Sequence, residues 1–224
     1  MVRPAACLFD LDGLLLDTEP LHAEAWQQAA SHFGRPLQDE ELLALRGRRR
    51  HDCADQVLQW INLSGSEQTP NREQLLAVRQ PIAEALLVQA APMPGAPELV
   101  HHCAERGVPM ALATSSSKAA VALKASPHPW LELIAVRVHG DDPQLNRGKP
   151  APDVFLLAAK RLSVEPNQCW AFEDSPAGVQ AASSAGCRVH VLPPAHLSAE
   201  QRRTIYPGIE RYLTTLCDVI EQLN

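Results

Sequence analysis

The chain predicts an α/β fold, a parallel sheet with helices on both faces into which an all-α domain is inserted, and three observations carry that expectation. Short apolar runs alternate with helical stretches through much of the sequence, the pattern of strand and helix in a parallel sheet. Residues 19–90 lack that alternation and carry only helical periodicity. Finally, acidic, hydroxyl and lysine clusters each follow a short apolar run or loop, and in such sheets ligands collect beyond the carboxyl ends of the strands.

The strand candidates are 5–9 (AACLF), 108–113 (VPMALA), 134–138 (IAVRV), 169–172 (CWAF) and 187–192 (CRVHVL), each short, apolar or alternating, and bounded by Gly, Pro or acidic residues. Helices are expected over 95–106, closed by Gly107, then over 117–125, 152–162, and 175–185, closed by Gly186. Ser175 followed by Pro176 reads as an N-cap with proline at the first helical position, and Gly186 as the residue after the last turn, which sets Asp174 at a helix start. Within the insert, the sets Leu21, Ala25, Trp26 and Ala29, then Val57, Leu58 and Ile61, then Leu75, Leu76, Val78 and Ile82 recur at helical spacing. Two prolines and a glycine in 91–95 (APMPG) break the helix before the second junction. The expected organisation is a core of 1–16 and 93–224 with a helical domain of 17–92 inserted into it.

Composition narrows the function classes. With 224 residues and 46% hydrophobic content the chain can bury a sizeable core, and disorder is excluded. A formal charge of -6 opposes a generic nucleic-acid or membrane-surface protein, since both partners favour a basic face. Six scattered cysteines, with no C-x-x-C pair, read as reduced thiols and not as a zinc site. Asp10 and Asp12 occupy the place where a signal peptide needs its apolar stretch, and no apolar run approaches the ~18 residues of a membrane helix. A cytoplasmic location is expected.

The chemistry begins at FDLDG, 9–13. In an extended segment residues i and i+2 project to one side, about 6 to 7 Å apart, so Asp10 and Asp12 can face one ligand. One carboxylate could attack phosphorus while the other moves a proton, and magnesium, a hard cation, would neutralise the phosphate. Taken alone the motif is weak, because acidic turns with glycine are common. In ATSSS, 113–117, the Thr114 hydroxyl and the Ser115 amide could bind phosphate oxygens at a helix start, or the segment could be an ordinary serine-rich cap. Lys149, on a loop between Gly148 and the prolines 150 and 152, supplies a compact charge, although a lone loop lysine is usually just solvated. Glu173 and Asp174 are adjacent acids that repel unless a cation or donor is present, and a helix dipole is the competing explanation.

Order and spacing together resemble the haloacid dehalogenase superfamily of phosphotransferases, whose four signatures stand here in sequence over nearly the whole chain. The resemblance implies a Rossmann-like core, Asp10 as nucleophile forming an aspartyl-phosphate, and Asp12 as general acid and base. It implies that Thr114, the Ser115 amide and Lys149 hold the transferring phosphoryl group. Mg2+ would be bound by Asp10, by the backbone carbonyl of Asp12 and by Asp174, with Glu173 contributing directly or through water.

The insert resembles the helical cap of the subgroup that includes beta-phosphoglucomutase and many small-molecule phosphatases, in which the cap closes over the site. His22 and Trp26 match cap positions of that subgroup. For His22, packing at the base of the cap and a role beside the leaving group are both open. The segments FDLDGLLLDTE (9–19), MPGAPELV (93–100), GVPMALATSS (107–116), GDDPQLNRGKPAPDVFLLAAKRL (140–162) and FEDSPAGVQAA (172–182) resemble the pseudouridine-5'-phosphatase and glycerol-phosphatase-like branch. In RGRRRHD, 46–52, four arginines surround Gly47, and Arg50 falls where the mutase contacts a distal phosphate. The run is open to three readings: a solvated face, a nucleic-acid contact, or an anion-binding edge. Being the one such basic cluster, it argues against nucleic acid.

The expected activity is therefore a magnesium-dependent phosphatase acting on a small phosphorylated metabolite, a sugar, polyol or nucleotide phosphate. No nucleic-acid or membrane partner is expected, and the protein would be a monomer or small homo-oligomer. The alternative is a sugar phosphomutase, which uses the same core but returns the phosphoryl group to a reoriented bisphosphate. His101 and His102 read as structural, and Trp60, Trp130 and Trp170 as packing residues.

Overall fold

In the computed structural model residues 3–45, 50–65, 69–209 and 211–223 are described. They form two compact units, Met1–Asp17 with Ala91–Asn224, and Thr18–Ala90. In chain order the elements are β1 (Ala6–Phe9), α1 (Glu19–His32), α2 (Asp39–Leu45), α3 (Arg50–Leu63), α4 (Arg72–Leu87), α5 (Ala96–Glu105), β2 (Met110–Ala113), α6 (Lys118–Ala125), β3 (Val136–Val138), α7 (Asp153–Leu162), β4 (Cys169–Glu173), α8 (Pro176–Ser184), β5 (Arg188–Val191) and α9 (Ala199–Ile205).

All strand pairings are parallel, and the order across the sheet is β3-β2-β1-β4-β5. The chain builds outward from β1 through β2 to β3, then crosses to the other side of β1 for β4 and β5. The carboxyl ends of β1, β2 and β4 therefore lie side by side where the winding reverses, the place such sheets reserve for ligands.

Strands buried on both faces explain the unbroken apolar runs in the sequence. Ala6 and Leu8 of β1 join Ala111, Ala113 and Ala171 in a cluster with Val154, Phe155 and Ala158 of α7 and Ala181 and Ala182 of α8. The alternate residues point the other way: Cys7 Sγ lies 4.0 Å from Cys103 Sγ of α5, and the Phe9 ring stacks on Phe172 at 4.9 Å. Burying a side chain of Leu or Phe size contributes roughly 1.5–3 kcal/mol, so the central strands, covered on both sides, stabilise this unit substantially.

Strand ends fall inside the apolar runs for identifiable reasons. Pro109 has no N–H to give a ladder, and its carbonyl instead accepts from Cys7 N at 2.9 Å, so β2 begins at Met110. A 3-10 helix over Pro129–Leu133 runs up to Ile134, so β3 begins at Val136. Ser175 caps α8 by accepting from Gly178 N at 3.1 Å, with Pro176 in the first turn, and Gly186 carries φ of 87° after the helix. The two junction segments are hydrogen-bonded to each other: Asp17 N donates to Ala91 O at 2.8 Å and Met93 N to Leu15 O at 3.0 Å.

The second unit is helical throughout its regular structure. Trp26, Ala29 and Ala30 of α1 pack with Val57 and Ile61 of α3 and Leu75 of α4, with Trp60, Leu58, Leu76 and Val78 against them. Asn71 caps α4 reciprocally with Gln74, its side chain accepting from Gln74 N at 2.9 Å while Asn71 N donates to Gln74 Oε1 at 2.9 Å. No helix of the described residues is long and apolar enough to cross a membrane. Of the cysteines, five are buried and Cys217 is exposed, and all are free thiols.

Candidate active site

The site is assembled at the carboxyl ends of β1, β2 and β4, and the segment between β3 and α7 brings in Lys149. Asp10 follows β1 directly, and its amide donates to Phe172 O of β4 at 3.1 Å, which extends the sheet by one bond and fixes the backbone that carries the carboxylate. Glu173 is the last residue of β4 and is wholly buried. Asp174 follows it, with its carbonyl accepting from the Tyr206 hydroxyl at 2.5 Å.

Lys149 joins two of these acids. Its Nζ lies 2.5 Å from Asp10 Oδ1 and 2.5 Å from Glu173 Oε1, and 5.2 Å from the centre of the Phe155 ring. All three charged residues are less than a tenth exposed. Burial works against the Lys149 ammonium, but Asp10 and Glu173 overcome it and hold its pKa above the ordinary lysine value. Burial pushes the Asp10 carboxyl up to about 7, with Lys149 opposing and Glu173 and Asp12 adding to the rise. The far oxygen of Glu173 accepts from Asp174 N at 3.2 Å, Ser175 N at 3.3 Å and Ser175 Oγ at 3.1 Å, so this carboxylate is tied both to the lysine and to the start of α8.

Asp10, Glu173 and Asp174 each offer a carboxylate oxygen, and these atoms all lie within 4.8 Å of one another. Three carboxylates against the one ammonium of Lys149 leave two formal negative charges, which is the balance a divalent cation completes with hard oxygen donors. Glycines keep the space around this group. A Cβ on Gly13 would stand 2.2 Å from Asp174 Oδ2, and one on Gly178 would stand 1.8 Å from Glu173 Oε1.

Asp10 and Asp12, expected to project from an extended segment, follow the strand and are not part of it. Both residues lie beyond β1, which ends at Phe9, and their carboxylates engage different lysines. Asp12 Oδ1 and Oδ2 lie 2.5 Å and 2.6 Å from Lys124 Nζ, and Oδ2 accepts from Ser116 Oγ at 2.7 Å. The Asp12 carboxylate is thus not one of the acids clustered at the cation position, and a role for this residue there rests on its backbone carbonyl.

Ser115, expected at a helix start, does not stand at one. Thr114 is buried at the end of β2 and its Oγ1 accepts from Ser116 N at 3.1 Å, but α6 is capped by Ser117, whose side chain accepts from Ala120 N at 3.3 Å. Ser115 is exposed and precedes that cap, so its amide belongs to a loop over the strand end. Gly140 permits the loop to close, since a Cβ there would stand 2.1 Å from Ser115 O.

Two expected residues lie in the helical unit. His22, in α1, has Nδ1 3.1 Å from Arg79 Nη2, and the Arg79 guanidinium sits 4.2 Å over the Trp26 ring. Burial lowers the Arg79 pKa to about 10. Arg50 is exposed at the start of α3 and donates to Gln80 Oε1 at 3.2 Å. The remaining arginines of that run, at 46, 48 and 49, lie outside the described residues.

Lys124 and Ser116 were not singled out in the sequence. The available signal was a lysine on an apolar stripe: Val121, Lys124 and Ala125 form the buried face of α6, where a charged residue is out of pattern unless it meets a partner.

Residues 4–186 match the haloacid dehalogenase-like hydrolases. The chain is 39% identical over 199 residues to the probable pseudouridine-5'-phosphatase of Drosophila melanogaster, covering 87% of this chain and 84% of that one. It is 36% identical over 187 residues to the fructose-1-phosphate phosphatase of Escherichia coli, covering 82% and 94%. Among solved structures, a putative beta-phosphoglucomutase from Thermotoga maritima superposes with a TM-score of 0.79 at 25% identity, over 97% of each chain. With that match across the site just described, the chain belongs to the haloacid dehalogenase-like hydrolase family.

Proposed function

We propose that this protein is a magnesium-dependent phosphatase that hydrolyses a small phosphomonoester, a sugar, polyol or nucleotide phosphate, through an aspartyl-phosphate on Asp10. The observation that carries the reading is the buried Asp10 carboxylate, bridged by Lys149 to Glu173 and grouped with Asp174 at the strand ends. The names of the relatives, phosphatases of a nucleotide and of a sugar phosphate, support the substrate class.

In the first step an Asp10 oxygen bonds to phosphorus as the bond from phosphorus to the ester oxygen breaks, and Asp12 delivers a proton to that oxygen. In the second a water oxygen bonds to phosphorus, Asp12 takes its proton, and the bond to Asp10 breaks, releasing inorganic phosphate. Lys149 balances charge at the nucleophile, and the Thr114 hydroxyl and Ser115 amide bind phosphoryl oxygens. Asp10, Asp174, the Asp12 carbonyl and Glu173, directly or through water, would hold Mg2+, which when bound neutralises charge between carboxylate and phosphate. His22 and Arg50 are the candidates for substrate recognition in the helical unit. A cytoplasmic location accords with this chemistry.

The deciding experiment is phosphate release from a panel of phosphomonoesters with and without magnesium, for the wild type and Asp10→Asn. Metal-dependent release that Asp10→Asn abolishes, with the fold retained by circular dichroism, is expected. Release at the wild-type rate by that variant overturns the role of Asp10. The structural likeness to a putative beta-phosphoglucomutase supports a phosphomutase as second reading. Isomerised sugar phosphate in place of free phosphate would identify it.

A further inference from the structure

We propose that Lys124 is the positioning residue for the proton-transferring carboxylate: its buried ammonium, together with the Ser116 hydroxyl, clamps both oxygens of Asp12 so that the proton is delivered to the departing ester oxygen from a single orientation. The inference rests on Asp12 being the general acid of the reading above.

Lys124 is 1% exposed, although lysine is among the residues least often buried without a partner. Its Nζ donates to Asp12 Oδ1 at 2.5 Å, Asp12 Oδ2 at 2.6 Å and Ser116 Oγ at 2.8 Å, which accounts for all three N–H groups. Ser116 in turn donates to Asp12 Oδ2 at 2.7 Å. The three side chains form a closed triangle linking α6, the loop after β2 and the loop after β1. Each Asp12 oxygen has a named donor, so rotation of the carboxylate would break at least one charge-assisted bond.

Stability alone gives no reason for this lysine. Replacing a buried ion pair by apolar residues of similar volume is often neutral or stabilising, and the neighbours of Lys124 on the helix, Val121 and Ala125, show that apolar packing suits the position. What the ammonium supplies, and an apolar side chain does not, is a fixed site for a carboxylate. A proton donor held within a narrow range of angles is worth a large part of the general-acid effect, which runs to roughly 10²–10⁴-fold.

The test separates orientation from folding. With the magnesium-loaded full chain in excess, single-turnover release of the leaving group is measured for p-nitrophenyl phosphate and for glycerol 3-phosphate. Nitrophenolate leaves without a proton, whereas the glycerol oxygen needs one, and hydrolysis of the phosphoenzyme does not enter a first turnover. Lys124→Met is expected to slow glycerol release by about 100-fold and nitrophenolate release by less than about 5-fold. Lys124→Arg should restore part of the loss, and Ser116→Ala should show the same asymmetry at smaller size. Equal losses on both substrates, or no loss on either, overturn the inference. If Lys124→Met does not fold, Ser116→Ala, which leaves no buried charge unpaired, decides. Asp12→Asn serves as the reference: absence of the asymmetry there removes the acid assignment itself, while its presence there and absence in Lys124→Met and Ser116→Ala removes the clamp alone.

Discussion

Lys149 and Asp10 are 139 residues apart in sequence and 2.5 Å apart in space, and the same ammonium reaches Glu173 at the same distance. One cation thus keeps two buried carboxylates together. Replacing it by Met should leave those acids facing each other without a counter-charge. A loss of about 3–5 kcal/mol is expected from breaking such a buried pair. Thermal melts should show part of that stability returning on addition of magnesium, because the cation supplies positive charge to the same oxygens. Activity should fall by about 100- to 1,000-fold, the scale of removing one preorganised electrostatic partner.

Gly178 inverts an ordinary rule. In the first turns of α8 an alanine should gain roughly 1 kcal/mol of helix propensity over glycine. Here its Cβ would stand 1.8 Å from Glu173 Oε1 and 2.0 Å from Cδ. Gly178→Ala is therefore expected to be destabilising by denaturant titration and to reduce turnover, since the Glu173 carboxylate would have to leave Lys149. A stability gain would show that Glu173 is free to move.

At Gly13 two constraints coincide. Its φ is 82°, a conformation that side chains oppose, and an added Cβ would press on Asp174 Oδ2 at 2.2 Å. Gly13→Ala should raise the magnesium concentration needed for half-maximal activity by about 10-fold or more, on the grounds that a misplaced ligand typically weakens a metal site by 10–100-fold. An unchanged magnesium titration would count against Asp174 as a ligand.

His190 gives the fold a pH dependence. It is wholly buried on β5 between the Trp170 and Phe172 rings, 4.6 Å and 5.1 Å away. Burial lowers its pKa to about 3, with Arg211 and Arg188 adding. A histidine depressed in the folded state stabilises fully above its unfolded pKa of about 6.5, and that contribution is lost as pH falls from there toward 3. Between pH 7 and pH 5 the loss should be about 2 kcal/mol. Protonation of Asp10, whose carboxyl is raised to about 7, acts in the opposite sense over the same window and is common to both proteins, so the His190 loss is read as the difference between wild type and His190→Leu in denaturant unfolding at the two pH values.

Asn71 tests the helical unit by itself. Its reciprocal cap with Gln74 satisfies backbone donors at the start of α4, and Asn71→Ala is expected to cost about 1 kcal/mol, read as a lowered denaturation midpoint.

Much of this architecture could be read from the chain alone because the signals were local. Apolar runs, the Ser175 and Pro176 start of α8, the positive-φ glycines 107 and 186, and the four clusters beyond strand ends are properties of neighbouring residues. Propensity, capping and pattern act over a few positions, so they survive without knowledge of the fold. Which acid meets which lysine is a different kind of fact. The sequence by itself determined that Asp10, Asp12, Lys149, Glu173 and Asp174 were candidates for one chemistry, and that a parallel sheet would carry them. Only the tertiary structure decided that Asp10 pairs with Lys149 while Asp12 pairs with Lys124, that Glu173 is held by Ser175 and both backbone amides after it, and that Gly13, Gly140 and Gly178 are vacant of side chains because oxygens fill the space. These pairings join residues as many as 139 positions apart. Charge is felt through distance in space, and no spacing along the chain encodes that distance until the strands are in order.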